Sequence, residues 1–306
     1  MMVAQHVYEV TGRVLLDEPM ARHSSWKTGG CAARYYEPAD IEDLQLFLRG
    51  LDPREPLTWV GLGSNLLVRD GGLRGTVIAP AGRLRAVQLQ GDGAVRAEAG
   101  VYCAQVARFC AAQGLAGAVF LAGIPGTLGG ALAMNAGAFG GETWQRVRSV
   151  ETIDRQGRLR VRGPDEYQVG YRSVSGPAEE WFVAGILELE PGDPDTLNTR
   201  MRELLRKRGA TQPTNQPSCG SVFRNPPGDF AARLIESAGL KGAREGGAEV
   251  STKHANFIVN ASSATARDIE TLIERVQRAV EQTHGIRLLR EVRIVGEPAN
   301  AEGSGR

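Results

Sequence analysis

GIPGTLGGALAMNAGAFG, residues 123–140, is the stretch that decides how the rest of the chain is read. Gly123, Gly126, Gly129, Gly130, Gly137 and Gly140 free the backbone for positive φ and for close approach to another group, while Pro125 fixes one turn. Such a backbone suits a flat or phosphorylated ligand. Ala131 to Met134 is too short and too small to form a core element alone, so another part of the chain must cover it. The ordinary alternative is a glycine-rich turn between strands, but the run is longer than a turn needs. The dinucleotide fingerprint is also absent: no Gly-x-Gly-x-x-Gly links a strand to a helix with an acidic residue beyond it.

Working outward, four more stretches carry polar chemistry. Upstream, a short buried strand, Leu57 to Leu62, runs into Gly61-Leu-Gly-Ser-Asn-Leu66. Gly61, Gly63, Ser64 and Asn65 make a nest of N–H donors suited to a pyrophosphate, although the same residue types dominate ordinary turns. Downstream, Tyr167 to Ser173 contains Gly170-Tyr171-Arg172; an arginine beside a tyrosine in a loop is ordinarily a solvated surface residue. Ser218-Cys-Gly-Ser-Val-Phe-Arg-Asn-Pro226 offers Ser221 as an ordinary turn serine, and the lack of a Gly-x-Ser-x-Gly elbow argues against an acyl-transfer nucleophile. Ser251, Lys253, His254 and Asn256 form a polar edge before a buried strand, which fits an anionic sugar nucleotide or, equally, a satisfied loop.

The elements between these stretches define a mixed α/β chain. Asp40 can cap a helix with Leu44, Phe47, Leu48 and Leu51 on its apolar face. Ala104 to Gln113 reads as a helix closed by Gly114, with Cys103 and Cys110 as small buried apolar residues. Val147 to Ile153, Leu159 to Arg162 and Trp181 to Leu189 read as strands. Leu197 to Arg208 is a basic amphipathic helix, its charges a solvated face. Phe230 to Gly239 is a further helix, and Thr265 can cap a long one reaching His284, with Ile269, Leu272, Ile273, Val276 and Val280 buried. Ile286 to Val295 reads as a strand carrying Glu291. The expected divisions are an arm over 1–22, one lobe over 23–80, a second over 81–195, a C-terminal domain over 196–297 and a disordered tail over 298–306.

Composition narrows the function further. A chain of 306 residues can hold two or three domains, and its 39 glycines point to tight backbone approaches rather than a helical bundle. A net charge of +1 leaves no electrostatic footprint for nucleic acid, and no apolar run approaches the length of a membrane span. Cys31, Cys103, Cys110 and Cys219 form no Cys-x-x-Cys pair, and His6, His23, His254 and His284 are scattered, so neither a metal site nor a disulfide framework is expected. These features place the chain in the reduced cytoplasm, and no protein partner is indicated.

GIPGTLGGALAMNAGAFGGE resembles the flavin-binding stretch of the UDP-N-acetylenolpyruvylglucosamine reductases, and the remaining motifs follow in that family's order across about residues 23 to 297. Ser24-Ser-Trp-Lys-Thr-Gly-Gly30, the Gly-Ser-Asn loop, Gly170-Tyr-Arg172, Gly220-Ser-Val-Phe223 with Asn225-Pro226, the Ser-x-Lys-His-Ala-Asn-Phe run and Glu291-Val-Arg293 all match. Leu288-Leu-Arg290 replaces the usual Leu-Glu-Pro before Glu291, and the chain resembles the shorter class without the extra tyrosine loop. The resemblance implies a two-lobed FAD-binding domain, of the type shared with vanillyl-alcohol-oxidase-like flavoenzymes, plus a C-terminal α+β substrate domain. It implies non-covalent FAD held by Gly61, Gly63, Ser64, Asn65, Leu66, Gly123, Ile124, Pro125, Gly126, Thr127, Gly130, Asn135, Ala136 and Gly137. Tyr171, Asn225, Lys253 and His254 fall at its substrate-binding positions, and Arg172, Ser221 and Glu291 at its catalytic ones.

The chemistry so implied is an NADPH-dependent reduction of the enolpyruvyl ether of UDP-N-acetylglucosamine enolpyruvate to UDP-N-acetylmuramate, a cell-wall precursor. Hydride passes from FAD to the methylene carbon. The neighbouring carbon becomes carbanion-like, its charge delocalised into a carboxylate that Arg172 would hold, with Glu291 acting near that charge and Ser221 supplying the proton. Cys219 is the nearby competitor for the proton-donor role. An alcohol or sugar-lactone oxidase of the same cofactor fold would commonly tether its flavin through a histidine, and only His23, at the edge of these stretches, is available. A non-catalytic nucleotide-sugar binding protein is the other alternative.

Overall fold

The computed structural model describes residues 10–299, and the start of the expected arm and most of the expected tail lie outside that range. The chain forms two compact units, neither of them a continuous run. The first gathers the residues through Leu15, Arg34–Leu62 and Gly75–Leu205; the second gathers Leu16–Ala33, Gly63–Arg74 and the chain from Arg206 onward. These divisions differ from boundaries at 22, 80 and 195, because segments far apart in sequence bond to one another.

The first unit is built on a five-stranded antiparallel sheet in the order Leu159–Arg162, Val147–Asp154, Glu180–Leu187, Val95–Glu98, Val87–Leu89. Helix α1, Ile41–Gly50, starts where the Asp40 carboxylate accepts the Asp43 amide, and buries Leu44, Phe47 and Leu48 with Tyr36, Ile78 and Ile153. Helix α2, Cys103–Ala112, buries Val106, Ala107 and Cys110, and burial pushes the Cys103 and Cys110 thiols up to about 12.

The glycine-rich stretch contains a helix that its composition conceals. Helix α3, Leu128–Met134, begins at Thr127, whose hydroxyl accepts the Gly130 amide, and ends at Asn135 in the left-handed region at φ 46°. Gly129 and Gly130 are poor helix formers, so the sequence reads as loop. Packing reverses that preference: a Cβ on Gly129 would lie 2.8 Å from Ala99 Cβ, and Leu128 and Leu132 pack under Gly185 of the central strand.

Helix α4, Pro194–Thr211, begins in the first unit and ends in the second, where α5 (Ala231–Ser237) and then α6 (Ala266–His284) follow. Thr265 caps α6 by accepting the Asp268 amide, and the Asp70 carboxylate accepts the Ala266 and Arg267 amides. Ile269, Leu272, Ile273, Val276 and Val280 are fully buried, each worth about 1.5–3 kcal/mol of transfer free energy. They cover the antiparallel strands Arg244–Glu245, Ala248–Val250 and Ile258–Asn260. Only Arg293–Val295 of the expected C-terminal strand is a strand, paired parallel to Leu66–Val68. Residues 286–292 are irregular because their backbone bonds elsewhere: Leu289 O accepts the Arg224 amide and Glu291 N donates to Val222 O.

Candidate active site

In the first unit the two glycine loops meet. A Cβ on Gly61 would stand 2.6 Å from Thr127 Oγ1, so only glycine permits this approach. Among the described residues neither the Gly61 amide nor the Thr127 amide has a protein acceptor. Gly123 is equally constrained, since a Cβ there would lie 2.3 Å from the Phe139 ring. Ile124 and Gly126 turn on each other through the Gly126 amide, Pro125 is exposed, and a Cβ on Gly130 would meet nothing nearer than Thr127 Oγ1 at 3.7 Å. The Ala136 carbonyl is taken by Thr143.

Arg172 joins this group from the hairpin formed by Gln168–Gly170 and Ser173–Ser175. Its guanidinium donates to Asn135 O at 3.3 Å and to Gly137 O at 2.8 Å, and lies 3.9 Å from the Glu142 carboxylate. The Tyr171 ring, itself exposed, sits with its centroid 5.0 Å from the guanidinium carbon. The arginine is therefore an anchored group rather than a solvated one. Asn135 is 2 % exposed, and its amide is engaged by Glu142, Gly170 and Trp144.

In the second unit Gly63, Asn65, Ser221 and Glu291 come together. Gly63 is held at φ 65° with the His23 carbonyl where a Cβ would be. Asn65 Nδ2 donates to Glu291 O at 3.1 Å, and Leu66 O accepts the Ser24 hydroxyl. Ser64 is half-buried. The Ser221 loop is stitched on both sides: the Val222 amide donates to Asn256 O, and the Glu291 amide donates to Val222 O. Asn256, 3 % exposed, adds a two-sided clamp, accepting from Phe223 N at 3.0 Å and donating to Phe223 O at 2.8 Å. Sequence alone groups Asn256 with the polar edge facing a ligand, whereas its amide is spent on this loop.

The other expected residues divide by what they already hold. The Ser221 hydroxyl has no hydrogen-bond partner among the described residues. Cys219 is 2 % exposed, its Sγ 3.4 Å from Gly63 O, and burial pushes the thiol up to about 12. Asn225 caps α5 by accepting the Ala231 amide at 3.1 Å, and its own N–H groups have no hydrogen-bond partner among the described residues. Lys253 donates to Gly209 O at 2.6 Å. His254 stacks edge-on against Phe257 with a buried, unpartnered Nδ1, and burial holds its pKa below the ordinary histidine range.

Residues 32–162 match the FAD binding domain family, and residues 212–295 match the C-terminal domain of UDP-N-acetylenolpyruvoylglucosamine reductase. By class the chain is an FAD-dependent oxidoreductase. It is 64% identical to the UDP-N-acetylenolpyruvoylglucosamine reductase of Alkalilimnicola ehrlichii over 92% of this chain and 94% of that one. The reductase of Methylococcus capsulatus is 63% identical, with 94% of each chain covered. The crystal structure of the Thermus caldophilus reductase superimposes with a TM-score of 0.80 at 33% identity, covering 92% of this chain and 98% of that one. The chain belongs to the UDP-N-acetylenolpyruvoylglucosamine reductase family.

The residues present fit FAD. Two loops in close approach, with the Thr127 side chain packed against Gly61, offer the unpaired amides of Gly61 and Thr127, and no carboxylate occurs in the glycine run before Glu142. No helix among the described residues is long and apolar enough to cross a membrane.

Proposed function

We propose that the chain reduces UDP-N-acetylglucosamine enolpyruvate to UDP-N-acetylmuramate with NADPH, in the cytoplasm, where its free thiols stay reduced. Bound FAD supplies the two-electron relay between the nicotinamide and the alkene. Gly61, Thr127 and the neighbouring glycine amides hold the cofactor, together with Gly63, Ser64 and Asn65. NADPH leaves as NADP⁺, hydride reaches the methylene carbon, and a proton reaches the carbon bearing the carboxylate, so the alkene gains two hydrogens in all.

Each residue then has a task matched to its surroundings. Arg172, held by donations to Asn135 O and Gly137 O, brings a fixed guanidinium to the carboxylate and stabilises the charge that develops there. Ser221 delivers the proton, and Glu291, whose backbone is bonded beside Val222, acts protonated or as a relay near the same charge. Asn225 and Tyr171 contact the substrate. Lys253 offers a cation to the nucleotide, and His254, kept neutral by burial, offers a hydrogen bond.

The observation that carries this reading is the contrast at residues 219–222: backbone bonds fix the Ser221 loop beside Glu291 and leave its hydroxyl unengaged, while Cys219 turns inward to Gly63 O. The test is NADPH oxidation by purified, FAD-loaded protein with and without the enolpyruvyl nucleotide, with mass analysis of the product. Substrate-dependent oxidation with a gain of two hydrogens is expected. Folded protein that binds the nucleotide without oxidising NADPH would identify a binding protein, and flavin that stays with the denatured chain would identify a covalent oxidase.

A further inference from the structure

Asn135 stands at the junction of three segments. It closes α3 in the left-handed region, and its buried amide reaches both hairpins beside it. Nδ2 donates to Glu142 Oε2 at 3.0 Å, in the hairpin of Gly137–Ala138 and Gly141–Glu142, and to Gly170 O at 3.1 Å, in the hairpin that carries Arg172. Oδ1 accepts the Trp144 amide at 3.1 Å. A primary amide has two N–H groups, and both are used within the protein, so this side chain has no donor left for a cofactor phosphate or ring.

The same residue also meets the guanidinium. Asn135 O and Gly137 O both accept from Arg172, and a Cβ on Gly137 would lie 2.9 Å from Arg172 Nη1. Arg172 sits at φ 53°, a conformation costing a non-glycine residue about 1–3 kcal/mol unless its surroundings impose it. The Asn135 amide holds Gly170, two residues before that strained position, while the Asn135 carbonyl holds the far end of the same side chain. Glu142, fixed by the amide, adds a carboxylate 3.9 Å from the guanidinium.

We infer that Asn135 is a positioning residue for Arg172, rather than a contact to the cofactor as the sequence alone suggests. The inference rests on Arg172 being the group that holds the substrate carboxylate. Without the amide, the Gly170–Arg172 turn loses its tether to α3, and the guanidinium leaves the place where the carboxylate arrives. A displacement near 1 Å in a positioning group costs about 10²-fold in rate. FAD, held by other amides, is unaffected.

The test uses the FAD-loaded full chain and two variants. Asn135→Gly removes the amide and accepts the positive φ, so the backbone is not strained further. Asn135→Asp is isosteric but cannot donate, and sets a second carboxylate against Glu142; it serves if the glycine variant folds poorly. FAD dissociation and flavin bleaching by NADPH should match wild type. Reoxidation by the enolpyruvyl nucleotide should slow by about 10²-fold with a raised half-saturation concentration. Combined with Arg172→Ala, Asn135→Gly should cost nothing further, because the residue it positions is gone. Weakened FAD binding with unchanged reoxidation per bound flavin would make Asn135 a cofactor contact and overturn the inference. Slow reoxidation in Arg172→Ala with wild-type reoxidation in Asn135→Gly would overturn the positioning role alone. Wild-type reoxidation in Arg172→Ala would sink both this inference and the assignment of Arg172 beneath it.

Discussion

Replacing Asn256 by alanine tests whether one buried amide holds the loop that carries Ser221. The Asn256 side chain is 3 % exposed and Phe223 1 % exposed, so water cannot replace the two bonds at 3.0 and 2.8 Å. An unsatisfied buried donor or acceptor costs about 1–3 kcal/mol. Losing both partners therefore costs about 2–6 kcal/mol, and about 3 kcal/mol is expected, because the Val222 amide keeps its bond to Asn256 O. That is a large part of the 5–15 kcal/mol typical of a folded domain. Urea titration of wild type and variant reads it as a shift in midpoint at constant slope. Asn256→Asp supplies a second signature. Its carboxylate would face Phe223 O at the place of the present 2.8 Å bond, so its pKa must rise on folding. A group whose folded pKa is raised adds stability at low pH that is lost as pH rises through that value. The aspartate variant should therefore gain stability on acidification toward about pH 4, where a protonated carboxyl can donate to Phe223 O. Destabilisation of Asn256→Ala below about 0.5 kcal/mol, the range of a surface substitution, would refute the clamp.

Arg172→Lys should lose at least about 10²-fold in reoxidation by substrate, since an ammonium cannot bond Asn135 O and Gly137 O and still present a planar edge; near-normal steady-state turnover would make Arg172 a bystander. Gly61→Ala places a Cβ 2.6 Å from Thr127 Oγ1 and should weaken FAD binding by about 1–3 kcal/mol, read from flavin fluorescence on dilution; unchanged affinity would separate this loop from the cofactor. Burial pushes the Asp43 carboxyl up, but the Tyr36 hydroxyl and the amides of Ala39, Gly12 and Thr11 hold it below its ordinary value of 3.8. Its stability contribution is thus complete above 3.8 and lost as pH falls through the lower folded value. Asp43→Asn should be less stable at neutral pH with a flatter acid limb, and an identical acid limb in urea midpoints would contradict this.

Periodicity made the helices legible. The spacing of Ile269, Leu272, Ile273, Val276 and Val280 after a capping threonine fixes α6, and Asp40 does the same for α1. Helix α3 was hidden because Gly129 and Gly130 contradict helix propensity, and the close approach of Ala99 that calls for glycine at 129 is a tertiary fact. The discontinuous units were hidden for a related reason: the parallel pairing of Leu66–Val68 with Arg293–Val295 joins segments far apart in the chain that no local pattern connects. At the site, residue types at motif positions pointed to Arg172, Ser221 and Glu291, but not to what holds them. Glu142 passed unread, though Gly140 and Gly141 signal the tight turn that folds it back toward Asn135.

Rapid mixing of Ser221→Ala in each half-reaction tests the central claim most directly, because hydride arrival and carbon protonation are separable and Ser221 is assigned only the second. Flavin reduction by NADPH should proceed at wild-type speed. Reoxidation by the enolpyruvyl nucleotide should slow toward the upper end of the ~10² to 10⁴ range that removal of a general acid costs. Wild-type rates in both half-reactions would contradict the assignment and make buried Cys219 the next residue to replace, and a defect confined to flavin reduction would move Ser221 to the NADPH or FAD site.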